Sequence, residues 1–190
     1  MKVSREQAAQ NRAHVIEVAG EQFRAHGFNG IGIADLMKAA GLTHGGFYAN
    51  FGSKDDLAVE ASTQALNETI ERISGAIADA DEPLSALANA YLSPSHRDDL
   101  AEGCVLAALA PEAARGGPAL RASFERGVEA YLDLLTPLVG GATEADRRSA
   151  AMASLASLVG GLILARTVAT PRLSSDLLEA AAKAVSNKCA

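Results

Sequence analysis

From Ala9 to Val185 the apolar residues recur three and four positions apart, and glycine or proline breaks the pattern at intervals. A chain written this way can bury an apolar face only as a succession of helices. Ala9, Ala13, Ile16, Ala19 and Phe23 write one such face, and Leu57, Leu66, Ile70, Ile73 and Ile77 another. Leu120, Phe124, Val128, Tyr131 and Leu135 write a third. No run alternates apolar and polar residues as a half-buried strand requires. The spacing predicts an all-α fold of about nine helices, over roughly 5–25, 33–40, 44–51, 53–80, 83–91, 102–115, 118–139, 143–168 and 174–186. With hydrophobic residues at 48% and charged ones at 21%, these helices have enough apolar surface to share a real core.

The breaks carry their own chemistry. His26-Gly27-Phe28-Asn29-Gly30 stops the first helix, and Gly41 separates two short ones. Thr43 and Ser53 are placed to cap the helices that follow, with Asp55 and Asp56 suiting the dipole of the second. Thr143 and Asp146 resemble a capping box with aspartate in place of glutamate. Ser93-Pro94-Ser95-His96 reads as a loop, and Thr170-Pro171 as the end of the helix before it.

Two short helices around a glycine turn make a helix-turn-helix candidate. Gly41 permits the sharp turn, and Leu36, Leu42, Phe47 and Phe51 can form a small core that fixes the angle between the two. Gly45 and Gly46 cost the second helix stability but allow close approach to a DNA backbone or groove floor. Thr43 and Tyr48 carry hydroxyls that can meet phosphates, while His44 and Asn50 are candidates for base edges or phosphates. Lys54, at the start of the next helix, can face a phosphate together with free backbone N–H groups. The net charge of −6 argues against a nucleic-acid partner, but it is unevenly spread. Residues 1–55 carry six Lys/Arg and five Asp/Glu, a net +1, and the remainder carries eleven and eighteen, a net −7.

The segment from Gly32 to Leu57 resembles the TetR family signature: a short scaffold helix, Ala40-Gly41-Leu42, Thr43, Gly45, the aromatic stretch ending at Phe51, then Lys54-Asp55-Asp56-Leu57. Two departures stand out. Gly32 occupies the position where the family usually has a Ser or Thr that caps the scaffold helix and touches a phosphate. The recognition segment also lacks Arg or Lys, so Lys2, Arg5 or Arg12 would have to supply the electrostatics.

The resemblance implies a helix-turn-helix domain over 1–52 and a ligand-binding and dimerisation domain over 53–190. It implies a ligand-responsive regulator, by default a repressor, that binds a near-palindromic double-stranded operator as a homodimer and leaves it when a small molecule binds. It places an apolar pocket among the middle helices, for which Cys104, Tyr91, Phe124 and Tyr131 are candidate residues. It also pairs the last two long helices with their copies, for which Leu155, Leu158, Leu162, Leu177 and Ala181 are candidates. A helical protein-interaction module without DNA binding is the alternative.

Cys104, at the expected start of a helix, reads either as a thiol with raised reactivity or as a small core residue. Cys104 and Cys189 fit neither a disulfide framework nor a paired-cysteine metal site, which favours a reducing, cytoplasmic setting. The N-terminus has no apolar signal core. The uncharged stretch Ser149–Ala165 is diluted by serine and glycine, so no membrane span is expected. His14, His26, His44 and His96 share no helical metal-ligand spacing, and no nucleophile elbow or phosphate loop occurs. Neither an enzyme nor a metal or cofactor is expected.

Overall fold

The computed structural model describes residues 4–186, so Lys2 and Cys189 lie outside the described residues. Nine α-helices occur among them: α1 (Arg5–His26), α2 (Ile33–Ala39), α3 (Lys54–Ile77), α4 (Pro83–Tyr91), α5 (Pro94–Asp98), α6 (Val105–Ala113), α7 (Pro118–Leu135), α8 (Glu144–Thr167) and α9 (Pro171–Ser186). The all-α class and the number nine match the sequence reading, but the set of nine is different.

The expected helix over 44–51 is a 3-10 turn at His44–Gly46 followed by hydrogen-bonded turns to Phe51. Its cause is local. The Thr43 hydroxyl makes no capping bond, two glycines fill the first turn, and the Asn50 side-chain amide donates to the Gly46 carbonyl at 2.8 Å. Conversely, the expected loop at 93–96 contains α5, which begins at Pro94 with the Ser93 hydroxyl accepting from His96 N. α9 likewise begins at Pro171, where a terminator was expected. Both corrections have one reason: proline has no N–H to lose at a first helical position and its φ is preset for a helix. The helix expected from Glu102 begins only at Val105, and the one expected to reach Val139 ends at Leu135, ahead of a 3-10 turn containing Pro137.

Caps elsewhere follow the sequence. Ser53 Oγ accepts from Asp56 N at 3.0 Å, and Thr143 with Asp146 forms the reciprocal box that starts α8. Gly27 ends α1 at φ 77°, a conformation that any other residue would adopt under strain.

α3 packs along both α1 and α7, and α8 runs beside α9. One continuous core joins the N-terminal end, through Phe23, Leu36 and Phe47, to the body, through Leu66, Tyr131 and Leu158. α8 is the one described helix long and apolar enough to cross a membrane by length and composition, with mean hydropathy 1.5. Its face through Leu155, Leu158, Gly161, Leu162 and Ala165 is nonetheless buried against the chain's own helices.

Candidate nucleic-acid interface and sensing cavity

The turn segment after Thr43 is anchored from beneath. Phe47 is fully buried and Phe51 nearly so, with ring centroids 5.4 Å apart, over Leu36 and Met37 of α2. That anchoring turns the neighbouring residues outward: Thr43, His44 and Gly45 are exposed, and Tyr48 is 64% exposed. The rings of His44 and Tyr48 meet edge to face at 6.0 Å, so the two side chains form one exposed polar-aromatic ridge. Lys54 stands at the first position of α3 and Gly32 caps α2 in an extended conformation, both as expected.

Two expected contributors are committed elsewhere. Asn50 is half-buried and spends its amide on Gly46. Arg12 pairs with Glu60 at 2.7 Å, and its guanidinium lies 4.9 Å from the centre of the Phe51 ring. It braces the anchor and leaves the electrostatics to exposed Arg5 and Lys38 and half-buried Lys54.

A cavity of about 370 Å³ opens between α3, α4, α5 and the loop at 99–102, with Ile73, Ile77, Leu87 and Tyr91 among its apolar walls and Arg72 and His96 among its polar ones. Of the four sensing candidates, Tyr91 alone lines it. Cys104 and Tyr131 lie behind, each 1% exposed, with the thiol 3.6 Å from the phenol oxygen. Phe124 is a core residue that does not reach the cavity. Burial first, and then the Cys104 side chain, pushes the phenols of Tyr91 and Tyr131 well above their ordinary range. The Tyr91 hydroxyl is buried without a well-formed hydrogen bond among the described residues. Cys104 is the N-cap of α6, so its expected place at a helix start holds, but its sulfur is closed off from solvent.

His96 and Arg166 organise the cavity's far wall, and neither was singled out by the sequence. The His96 ring sits edge-on to Tyr91 at 4.7 Å. Its Nδ1 is 2.6 Å from the Tyr91 carbonyl, and its Nε2 accepts from Cys104 N at 3.0 Å. An acceptor at Nε2 and a carbonyl at Nδ1 require the neutral tautomer with the proton on Nδ1. Burial lowers the pKa of this imidazole, assisted by the charges of Arg166 and Arg72 and opposed by the Tyr91 carbonyl and Asp99. Arg166, from α8, donates to the carbonyls of His96, Arg97 and Asp99. These bonds link residues about 70 positions apart, and no local spacing announces them.

The dimer candidates need correction. Leu155, Leu158 and Leu162 are 7%, 0% and 0% exposed, and therefore belong to the protomer core. A side chain at Gly161 would meet Ala181 at 2.5 Å, so Ala181 serves the close approach of α9 to α8 within one chain. Leu177 is half-buried against the same core. The apolar surface left open is a different stripe: Met152, Ala153, Ala156 and Leu164 on α8, with Leu173, Ala180 and Ala184 on α9.

The model of the N-terminal region of bacterial regulatory proteins of the tetR family matches residues 15–61, the stretch that holds most of α1, all of α2, the turn segment and the start of α3. Over this region the chain is similar to the TetR family. Among curated relatives, the HTH-type transcriptional regulator TtgR of Pseudomonas putida is 34% identical over 79 residues, 42% of this chain and 37% of TtgR. The probable HTH-type transcriptional regulator ArpR of the same species matches to the same extent. The likeness thus spans well under half the length of those relatives. The fold is shared much further. Reduced NemR of E. coli superposes with a TM-score of 0.78 at 19% identity, covering 95% of this chain and 97% of NemR. A TetR transcriptional regulator of Chloroflexus aurantiacus gives 0.79 at 24% identity, covering 96% and 95%.

Proposed function

We propose that the protein is a homodimeric, DNA-binding transcriptional regulator, acting in the cytoplasm as a repressor that leaves its operator when a small molecule enters the cavity beneath α5. The observation that carries this reading is the outward ridge of Thr43, His44 and Tyr48, held on buried Phe47 and Phe51 within the family-matched segment. Such a ridge offers hydroxyl and imidazole groups to a phosphate backbone or base edges, and Gly45 has no neighbour within 4 Å to keep a groove wall away. Lys54 adds a cation at a helix N-terminus.

In this reading residues 1–52 meet DNA and residues 53–190 sense and dimerise. The open apolar stripe on α8 and α9 meets its copy about a two-fold axis, which sets the two ridges about 34–36 Å apart for successive major grooves. The cavity is of the size a drug-like metabolite fills, and mostly apolar walls with a few polar groups suit such a ligand.

Titration of a promoter-region duplex at rising salt tests the proposal. Affinity should fall steeply, by close to one power of salt per phosphate neutralised, and Lys54→Ala should reduce the slope by about one. Binding that ignores salt, or that is absent while a protein partner is retained, refutes it in favour of a helical interaction module.

A further inference from the structure

Most of the uncharged polar side chains that line the 370 Å³ cavity are already spent on the chain itself. The Thr69 hydroxyl donates to the Ala65 carbonyl at 2.7 Å. Ser93 donates to the Ala90 carbonyl and accepts from His96 N, with Ser95 Oγ 3.0 Å away. Both ring nitrogens of His96 are engaged. The Tyr91 hydroxyl lies beside the Cys104 side chain, behind the cavity. A charged or polar group set among these residues would be buried unpaired, so this part of the wall, with Ile73, Ile77 and Leu87, suits an apolar body.

The charged lining is a different matter. Arg72 comes from α3, and Asp99 and Glu102 come from the loop at 99–102; all three are exposed at the same cavity. The one hydrogen bond of the Arg72 side chain is long, 3.4 Å to the Glu102 carbonyl. Asp99 gives one carboxylate oxygen to Glu102 N at 3.0 Å and keeps the other. The Glu102 carboxylate accepts no hydrogen bond, and no ion pair among the described residues joins any of the three. Arg24 and Arg166 are close enough to feel Glu102 and Asp99, but their N–H groups go to backbone carbonyls. The rim is thus of mixed sign, with a guanidinium and two carboxylates left to meet something else.

We propose that the cavity takes a zwitterion of the apolar α-amino acid class, its carboxylate on Arg72, its ammonium on Glu102 and the second oxygen of Asp99, and its side chain against Ile73, Ile77 and Leu87. The proposal rests on the sensing role given above and names the chemistry of the molecule sensed. A guanidinium offers paired N–H groups that match a carboxylate, and an ammonium has three donors to divide between two carboxylates. A bare cation would face Arg72 unscreened, and a bare anion would face Asp99 and Glu102. Only a molecule carrying both charges a few bonds apart answers the whole rim.

Titration calorimetry on the full chain at low salt tests this with four probes. L-phenylalanine carries both charges and a ring, phenethylamine lacks the carboxylate, hydrocinnamate lacks the ammonium, and glycine lacks the ring. Each exposed ion pair is worth up to about fivefold in affinity, so L-phenylalanine should bind about fivefold tighter than either single ion, and glycine should not bind detectably. Arg72→Gln should bring L-phenylalanine down to the level of phenethylamine, while Arg72→Lys keeps most of the preference. Asp99→Asn with Glu102→Gln should bring it down to the level of hydrocinnamate. Should a variant fail to fold, the order of the probes on the unaltered chain decides alone. Equal affinity for the three aromatic probes, tighter binding of either single ion, or no binding of L-phenylalanine at millimolar concentration overturns the proposal. Release of a duplex selected by this chain from random sequence is read separately. If L-phenylalanine binds in the expected order and leaves the duplex bound, the ligand class stands and the sensing role falls. If the chain selects no duplex, the DNA-binding reading falls, and the calorimetric order still decides the ligand class.

Discussion

Replacing Met152 and Leu164 together by alanine tests whether the open face of α8 meets a second copy of the chain, as proposed. The two side chains are 48% and 52% exposed, among the most open large apolar groups of the protein. Burying a whole Leu or Met side chain is worth about 1.5–3 kcal/mol, and roughly half of each remains to be covered, so each contributes about 1 kcal/mol to a pairing that covers it. A two-fold interface contains each residue twice, and four such contributions sum to about 4 kcal/mol. At about 1.4 kcal/mol per tenfold, the dimer dissociation constant should rise by roughly 10³. Sedimentation equilibrium across the micromolar range reads that change directly, with thermal unfolding of the separated protomers as a control. Leu158→Ala provides the contrast: this residue is fully buried within the protomer, so it should lower folding stability by about 2–5 kcal/mol. A double variant whose dissociation constant stays within about threefold of the parent refutes the assignment, because no two-fold pairing through this face could leave those side chains uncovered.

Stability should fall as the medium is acidified below pH 6.5. The folded chain holds His96 neutral with a lowered pKa, so over this window the unfolded chain binds more protons and proton uptake favours unfolding. The loss should begin as pH drops through the unperturbed value and level off below the lowered one; a His96→Gln variant, followed by thermal melts across pH 5–7.5, should lack that component. Gly45→Ala should raise folding stability by up to about 1 kcal/mol, since the site is open and a Cβ meets nothing within 4 Å. The same variant should weaken operator binding in a gel-shift titration, and undiminished affinity would show that close backbone approach at Gly45 plays no part.

What the sequence revealed, and what it hid, divides by distance along the chain. The Ser53 cap, the Thr143–Asp146 box and the glycine that ends α1 are bonds between residues at most four apart, so the order of residues displays them. The burial of Phe47 and Phe51 was legible for the same reason, as two aromatics one helical turn apart beside a small scaffold helix. Residues 44–51 failed as a regular helix because apolar spacing cannot weigh two glycines and a missing cap against it. The prolines at 94 and 171 misled in the opposite sense, since proline stops a helix from within but starts one at its first position. α8 is apolar on more than one side, so periodicity gave no means of telling its inner leucines from its open stripe. His96, Arg166 and Glu112 were invisible because their partners lie 8, 67–70 and 84 positions away.

Arg166 ties the roof of the cavity to α8 through three carbonyl oxygens. Anything that lifts the roof must therefore pull on the helix that, in the proposed dimer, abuts the second copy. In a symmetric pair, filling one cavity would change the appetite of the other, and ligand uptake would trace a curve whose Hill coefficient departs from unity. A single guanidinium would in this way set how sharply the regulator responds to concentration, independently of how tightly it holds either DNA or ligand.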